Sequence, residues 1–123
     1  MKKLCLLLLL LSQIILGKES YDIFDAIKEG NNVKIKEVIK KTKNLNTFNK
    51  DGISPLTLAI VKDNKEIVKD LIRNGADVNL KDSEGFLTIE MAIHYKKIDI
   101  LKILVENNVD INLKDDYDQT PLE

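Results

Sequence analysis

The side chains able to carry chemistry are few. His94 is the single histidine and Cys5 the single cysteine among 123 residues, so neither a nucleophile–base pair nor a triad can be assembled. Zinc sites built from His and Cys fail for the same reason. Asp77 and Asp110 stand in equivalent loop positions and suit loop hydrogen bonding better than a cation. No Gly-x-Gly-x-x-Gly and no Gly-x-x-x-x-Gly-Lys-Ser/Thr run is present to cradle phosphates. Carboxylates remain: Asp115, Asp116 and Asp118 crowd one stretch, and Asp82, Ser83 and Glu84 another. Two acids at the right separation can divide acid and base roles. No pocket-forming pattern surrounds either group, and solvated loop tips account for both. An enzyme using the Asp115–Asp118 carboxylates is kept as an alternative; the expectation is no catalytic residue, no metal and no cofactor.

The elements that would position these residues follow from a periodicity. Gly52 and Gly85, Ala59 and Ala92, Leu71 and Leu104, and Asn79 and Asn112 are each 33 residues apart, the signature of a structural repeat. Asp51-Gly52-Ile53-Ser54-Pro55-Leu56-Thr57-Leu58-Ala59 becomes Glu84-Gly85-Phe86-Leu87-Thr88-Ile89-Glu90-Met91-Ala92, then Tyr117-Asp118-Gln119-Thr120-Pro121-Leu122-Glu123. Asn74 to Asp82 likewise becomes Asn107 to Asp115.

These segments resemble the ankyrin repeat, whose usual pattern is Asp-x-x-Gly-x-Thr-Pro-Leu-His-x-Ala-Ala, a second helix rich in Ile, Val and Leu, and then Gly-Ala-Asp-Val-Asn. Ser54-Pro55-Leu56 and Thr120-Pro121-Leu122 stand where Thr-Pro-Leu belongs, and Ile67 to Ile72 followed by Gly75-Ala76-Asp77-Val78-Asn79 covers most of one unit. The departures are Thr57, Glu90 and Glu123 at the family's His, Thr88 at its Pro, and Asp63 and Lys96 at a Gly between the helices. The resemblance implies an all-α repeat solenoid, an ankyrin-like stack of helix-turn-helix units joined by extended hairpin loops. Its units fall at about 21–49, 50–82 and 83–115, with a truncated unit at 116–123. The departures imply lower stability and no change of fold.

The residues agree with that implication independently. Leu56, Ala59 and Ile60, then Ile67, Val68, Leu71 and Ile72, recur at three and four, as one apolar stripe on each of two helices requires. Ile89, Ala92 and Ile93, then Ile100, Leu101, Leu104 and Val105, repeat it. Pro55 and Pro121 suit a first helical turn, with Ser54 and Thr120 placed to cap. Gly75, and Asn108 at the same place one unit later, mark positions for a left-handed residue. Ile23, Phe24, Ala26 and Ile27, then Val33, Ile35, Val38 and Ile39, form a worn first unit whose lysine-rich exterior suits a terminal cap. At the other end Ile89, Ile93, Ile100 and Leu104 are expected to lack a covering helix pair. That leaves two readings: a truncated or degenerate fragment with no specific partner, or an open end for self-association.

The first residues read differently. Lys2-Lys3, the apolar run Leu4–Leu16 and then Gly17 form the charged, apolar and small-residue regions of a secretory signal, assigned to 1–17, with the repeat domain at 18–123. Thirteen residues are short of the ~20 that span a bilayer core. Losing Cys5 with this segment leaves no cysteine and hence no disulfide. Losing Lys2 and Lys3 moves the formal charge from −1 to −3, too little and too mixed for nucleic acid or an anionic membrane. A membrane is expected as partner only where the signal segment stays attached. Arg73 is the sole arginine, which removes arginine clusters for phosphate.

In ankyrin-like proteins the positions that vary between repeats, at the loop tips and along the first helix, bind protein partners. Carried onto this chain they are Lys50, Asp51 and Ile53; Ser83, Glu84 and Phe86; Asp116 and Tyr117; and, on the helices, Val61, Lys62, His94 and Tyr95. Phe86, His94 and Tyr95 resemble interface anchors, although Phe86 folded over its hairpin and Tyr95 lidding the core edge explain them equally. The function expected is a non-enzymatic protein–protein interaction module, periplasmic or secreted. N-terminal sequencing of the native protein should give a start at or near Lys18 in a fraction outside the cytoplasm; intact Met1 in the cytosol would remove the export reading.

Overall fold

Each unit begins with a helix whose first turn is closed by a nearby side chain. Asp22 and Asp25 exchange side-chain and backbone hydrogen bonds at 3.0 Å each to open α1 (Ile23–Glu29). Asn31 caps α2 (Asn32–Lys41). Ser54 accepts the Thr57 amide at the head of α3 (Pro55–Val61), where Pro55 occupies the first turn. Asn64 caps α4 (Lys65–Arg73) through the Ile67 amide. These are the groups that satisfy amides a helix start leaves unpaired. Two further helices, α5 (Thr88–His94) and α6 (Ile98–Glu106), complete the third pair. This computed structural model describes residues 21–122; the signal assigned to 1–17, Cys5 and Glu123 lie outside the described residues.

The helices form two layers. α1, α3 and α5 stack on one another, α2, α4 and α6 do the same behind them, and each pair also packs within its own unit. The core runs along the seam. Ala26, Ala59 and Ala92, one per unit, are fully buried, as are Ile35, Ile60, Ile67, Leu71, Ile100 and Leu104. Alanine at the closest approach of the layers lets larger side chains above and below interdigitate. None of these helices exceeds ten residues, a length marginal in isolation, so order comes from stacking.

Two expectations about the ends are corrected. Val33 does not join the core of the first unit; it lies exposed, next in sequence to Asn32, whose side chain reaches Glu66 of α4. Ile89, Ile100 and Leu104 are not left open. They face inward, and Ile100 and Leu104 are buried completely by their own unit and the one before. The aliphatic groups that do reach solvent on the helices of the third unit are Ile93, Ile98 and Val105, with Ile111 exposed in the loop that follows. The rule of three and four identifies a stripe but does not say which of its edges the next unit covers. Pro121 lies buried in a turn, and no helix follows α6 among the described residues.

The turn between the paired helices passes through a left-handed residue each time: Gly30 at φ 78°, Asp63 at φ 56° and Lys96 at φ 55°. Gly75 (φ 102°) and Asn108 (φ 64°) do the same after the second helices, as the sequence predicts. A side chain such as that of Lys96 pays in backbone strain for a conformation glycine adopts freely. Lys96→Gly should therefore raise stability by about 1 kcal/mol. Ala92→Leu, which overfills the seam, should lower it by about 1–3 kcal/mol. Thermal melts of both variants check the register, since similar shifts of one sign would contradict it.

Candidate functional site

The loops between units are built around one side-chain oxygen each. Asn49 Oδ1 accepts the amides of Asp51 and Ile53 at 3.0 and 3.1 Å. Asp82 Oδ1 accepts those of Glu84 and Phe86, both at 2.9 Å. Asp115 Oδ1 accepts those of Tyr117 and Gln119 at 2.8 and 3.0 Å. In each hairpin the backbone amide of the same residue also donates across to the opposite carbonyl: Asn49 to Ile53, Asp82 to Phe86, Asp115 to Gln119. Successive tips then stack. The Ser83 amide donates to the Gly52 carbonyl at 2.9 Å and the Asp116 amide to that of Gly85 at 3.0 Å. Contact at these two places is so close that a Cβ on Gly52 would fall 1.7 Å from Ser83 Oγ, and one on Gly85 2.4 Å from Asp116 Cβ.

Beneath the tips a depression of about 410 Å³ opens against α5, lined by Asp51, Ile53, Asp82, Glu84, Phe86, Glu90, Met91, His94 and Tyr95. Six residues singled out from sequence meet here: Asp51, Ile53, Glu84, Phe86, His94 and Tyr95. The others are placed elsewhere. Lys62 closes α3 and lines a separate groove with Lys28, Asn32 and Lys65. Ser83 is packed on Gly52, Asp116 pairs with Lys81 at 3.0 Å, and Lys50 is exposed at its own tip. Tyr117 stacks on Phe86 with ring centroids 5.1 Å apart and donates its hydroxyl to the Glu84 carbonyl at 3.1 Å. Phe86 is thus half-buried and shared between two hairpins, whereas Tyr95 is exposed and meets His94 edge-on at 4.9 Å.

Asp82, Glu90 and Met91 line the depression without having been predicted to. Glu90 had signalled itself only as an unusual residue at the family's His position. Leu87, which precedes α5, has no acceptor with which to cap it; the Glu90 carboxylate reaches back to the Leu87 amide at 2.7 Å instead. Thr88, in the place of a proline, spends its amide and hydroxyl on the Leu80 carbonyl at 3.2 and 2.9 Å.

The acidic stretch at 115–118 is structural in its geometry. Asp115 is buried and holds its hairpin, Asp116 pairs with Lys81, and Asp118 pairs with Lys114 at 2.9 Å. Asp77 and Asp110 accept the amides of Asn79 and Asn112 at 2.8 and 2.9 Å, as loop hydrogen bonding requires. Among the described residues no group of three or more His, Cys, Asp or Glu side chains is placed to hold a metal ion.

A family model for Ankyrin repeats (3 copies) matches residues 23–115, the span over which the three helix pairs and their hairpins recur. The chain belongs to the ankyrin repeat family. Ankyrin repeats are generally protein–protein interaction modules and typically non-enzymatic. Comparison with curated proteins returns no match.

The third unit of this ankyrin stack carries an unusual pair. Asp115 Oδ2 is buried without a hydrogen-bond donor, and the group facing it is the Glu90 carboxyl. Burial pushes Glu90 up from the ordinary carboxylate range, with Asp115 adding to the rise. Burial also pushes Asp115 up, but the Gln119 amide, Glu90 and the Tyr117 amide outweigh it and hold Asp115 low. A proton on Glu90 would therefore be donated to Asp115. The raised group stabilises the fold fully at acid pH and loses that contribution as pH rises through its folded value. The lowered group does the reverse, losing its contribution as pH falls. Glu90→Gln supplies a permanent donor to Asp115 while keeping an acceptor for Leu87. At neutral pH it should melt higher, because it supplies the donor that Asp115 Oδ2 lacks. That gain should vanish as the pH falls into the carboxylate range, where the raised Glu90 takes up its own proton first. Melts across that range decide it; a gain independent of pH would mean that the pair shares no proton.

Proposed function

We propose that the protein is an exported, non-enzymatic ankyrin repeat module that binds a protein partner through the hairpin tips and the adjoining concave face of α5. The observation that carries this reading is the depression beneath the tips. Phe86 and Met91 line it at half-burial outside the core cluster, Ile53 lines it while packing against that core, and Tyr95 stands exposed at its side. Apolar and aromatic groups held on rigid elements yet left partly in solvent are what an interface uses as anchors. Export rests on the Lys2-Lys3 and Leu4–Leu16 pattern of the sequence.

A second reading, contact between copies of the chain, is favoured by Ile98, Leu101 and Val105. They follow one side of α6 at intervals of three and four, with Ile98 and Val105 exposed. It differs in location from the first, so one set of variants separates them. Tyr95→Ala should leave the melt unchanged and weaken binding to a partner captured from the native envelope or secretion fraction by about 2 kcal/mol, while Lys62→Ala leaves the affinity as it was. Unchanged affinity in Tyr95→Ala, with loss in Val105→Glu, would move the interface to α6.

A further inference from the structure

The depression beneath the tips differs in charge from the grooves beside Lys62, Asp70 and Asp99. Acidic and basic residues are almost equal in the chain, 20 and 19. The groove beside Lys62 mixes both signs through Lys28, Lys65 and Asp63, and those at Asp70 and Asp99 also contain lysines. The depression holds four carboxyl side chains, Asp51, Asp82, Glu84 and Glu90, and no lysine or arginine. Lys81, next to Asp82 in sequence, is turned away to Asp116. Between the carboxyls lie Ile53, Phe86 and Met91.

Resting on the reading of this face as the one that binds protein, we propose that its partner presents a lysine or arginine directly beside an apolar side chain. The cation lies among Asp51, Glu84 and the Tyr95 ring, and the apolar group sits on Ile53, Phe86 and Met91. A concave site lined by one sign of charge focuses its field on the opposite sign, and an exposed tyrosine face adds attraction for a cation. Asp82 contributes charge more than contact, because its Oδ1 is occupied by the Glu84 and Phe86 amides. An acidic segment would meet uncompensated like charge here and be rejected.

The test is selection of a random peptide library on the full chain, with sequencing of the enriched peptides and measurement of their affinities. The expected peptides carry lysine or arginine next to an aliphatic or aromatic residue. They should bind Asp51→Lys/Glu84→Lys about tenfold or more weakly, and weaken as salt is raised, as expected for partly exposed charges. Lys62→Glu, in the other groove, should bind them as the wild type does, and melts of every variant confirm folding. Neutral or acidic peptides that lose binding in Tyr95→Ala would overturn the charge preference and leave the concave site standing. Basic peptides indifferent to the Asp51→Lys/Glu84→Lys pair, or no enrichment at all, would overturn both.

Discussion

Three side-chain oxygens, on Asn49, Asp82 and Asp115, each hold two backbone amides and thereby fold the hairpins from which everything else is hung. Without that clamp the tip residues would be a flexible connection. With it, Ser83 and Asp116 meet the carbonyls of Gly52 and Gly85, and the aromatic rings of Phe86 and Tyr117 come into register across two hairpins. The lack of room for a Cβ at Gly52 and Gly85 follows from the same stacking. Acidic residues at the tips are thus partly scaffold and partly surface, and the division runs atom by atom: one Asp82 oxygen is committed to amides while its charge still faces the depression.

A second set of polar links ties the units together along the outside. Asn46 accepts the Asp77 amide and Asn79 that of Asp110, both at 2.8 Å. Lys36 pairs with Glu66, and Lys65 with Asp99 at 2.7 Å. The ion pairs are solvent-exposed and contribute little each; the asparagine links satisfy amides that the loops would otherwise leave unpaired and so fix the spacing between units.

The sequence made the repeat legible because a 33-residue period places equivalent side chains in equivalent surroundings. Ser54 as cap, Gly75 and Asn108 in the left-handed region and Ala59 and Ala92 in the seam all follow from local chemistry repeated in phase. The convergence of Asp82, Glu90 and Met91 with Phe86 and Tyr95 was not legible. It arises where a hairpin of one unit leans over a helix, a distance set by stacking rather than by spacing along the chain. Val33 differs for a related reason: its period fits the stripe of α2, but the side chain stays in solvent while Ile35 and Ile39 fill the core. Lys62 was placed on the concave side by analogy of position, whereas it closes α3 and turns toward the first unit's loop.

The principal helix packing joins each unit only to the next, so a pull along the stack would load its joints in series, like links of a chain. The extension at which it gives way is then a property of one joint, not of the whole core. The facing carboxyls of Glu90 and Asp115 lie within the third unit, so the surrounding acidity bears on that unit's own hairpin and helix rather than on a link between units. A tether built from such units would yield from one end, a repeat at a time, and could re-form in the same order once the load is removed.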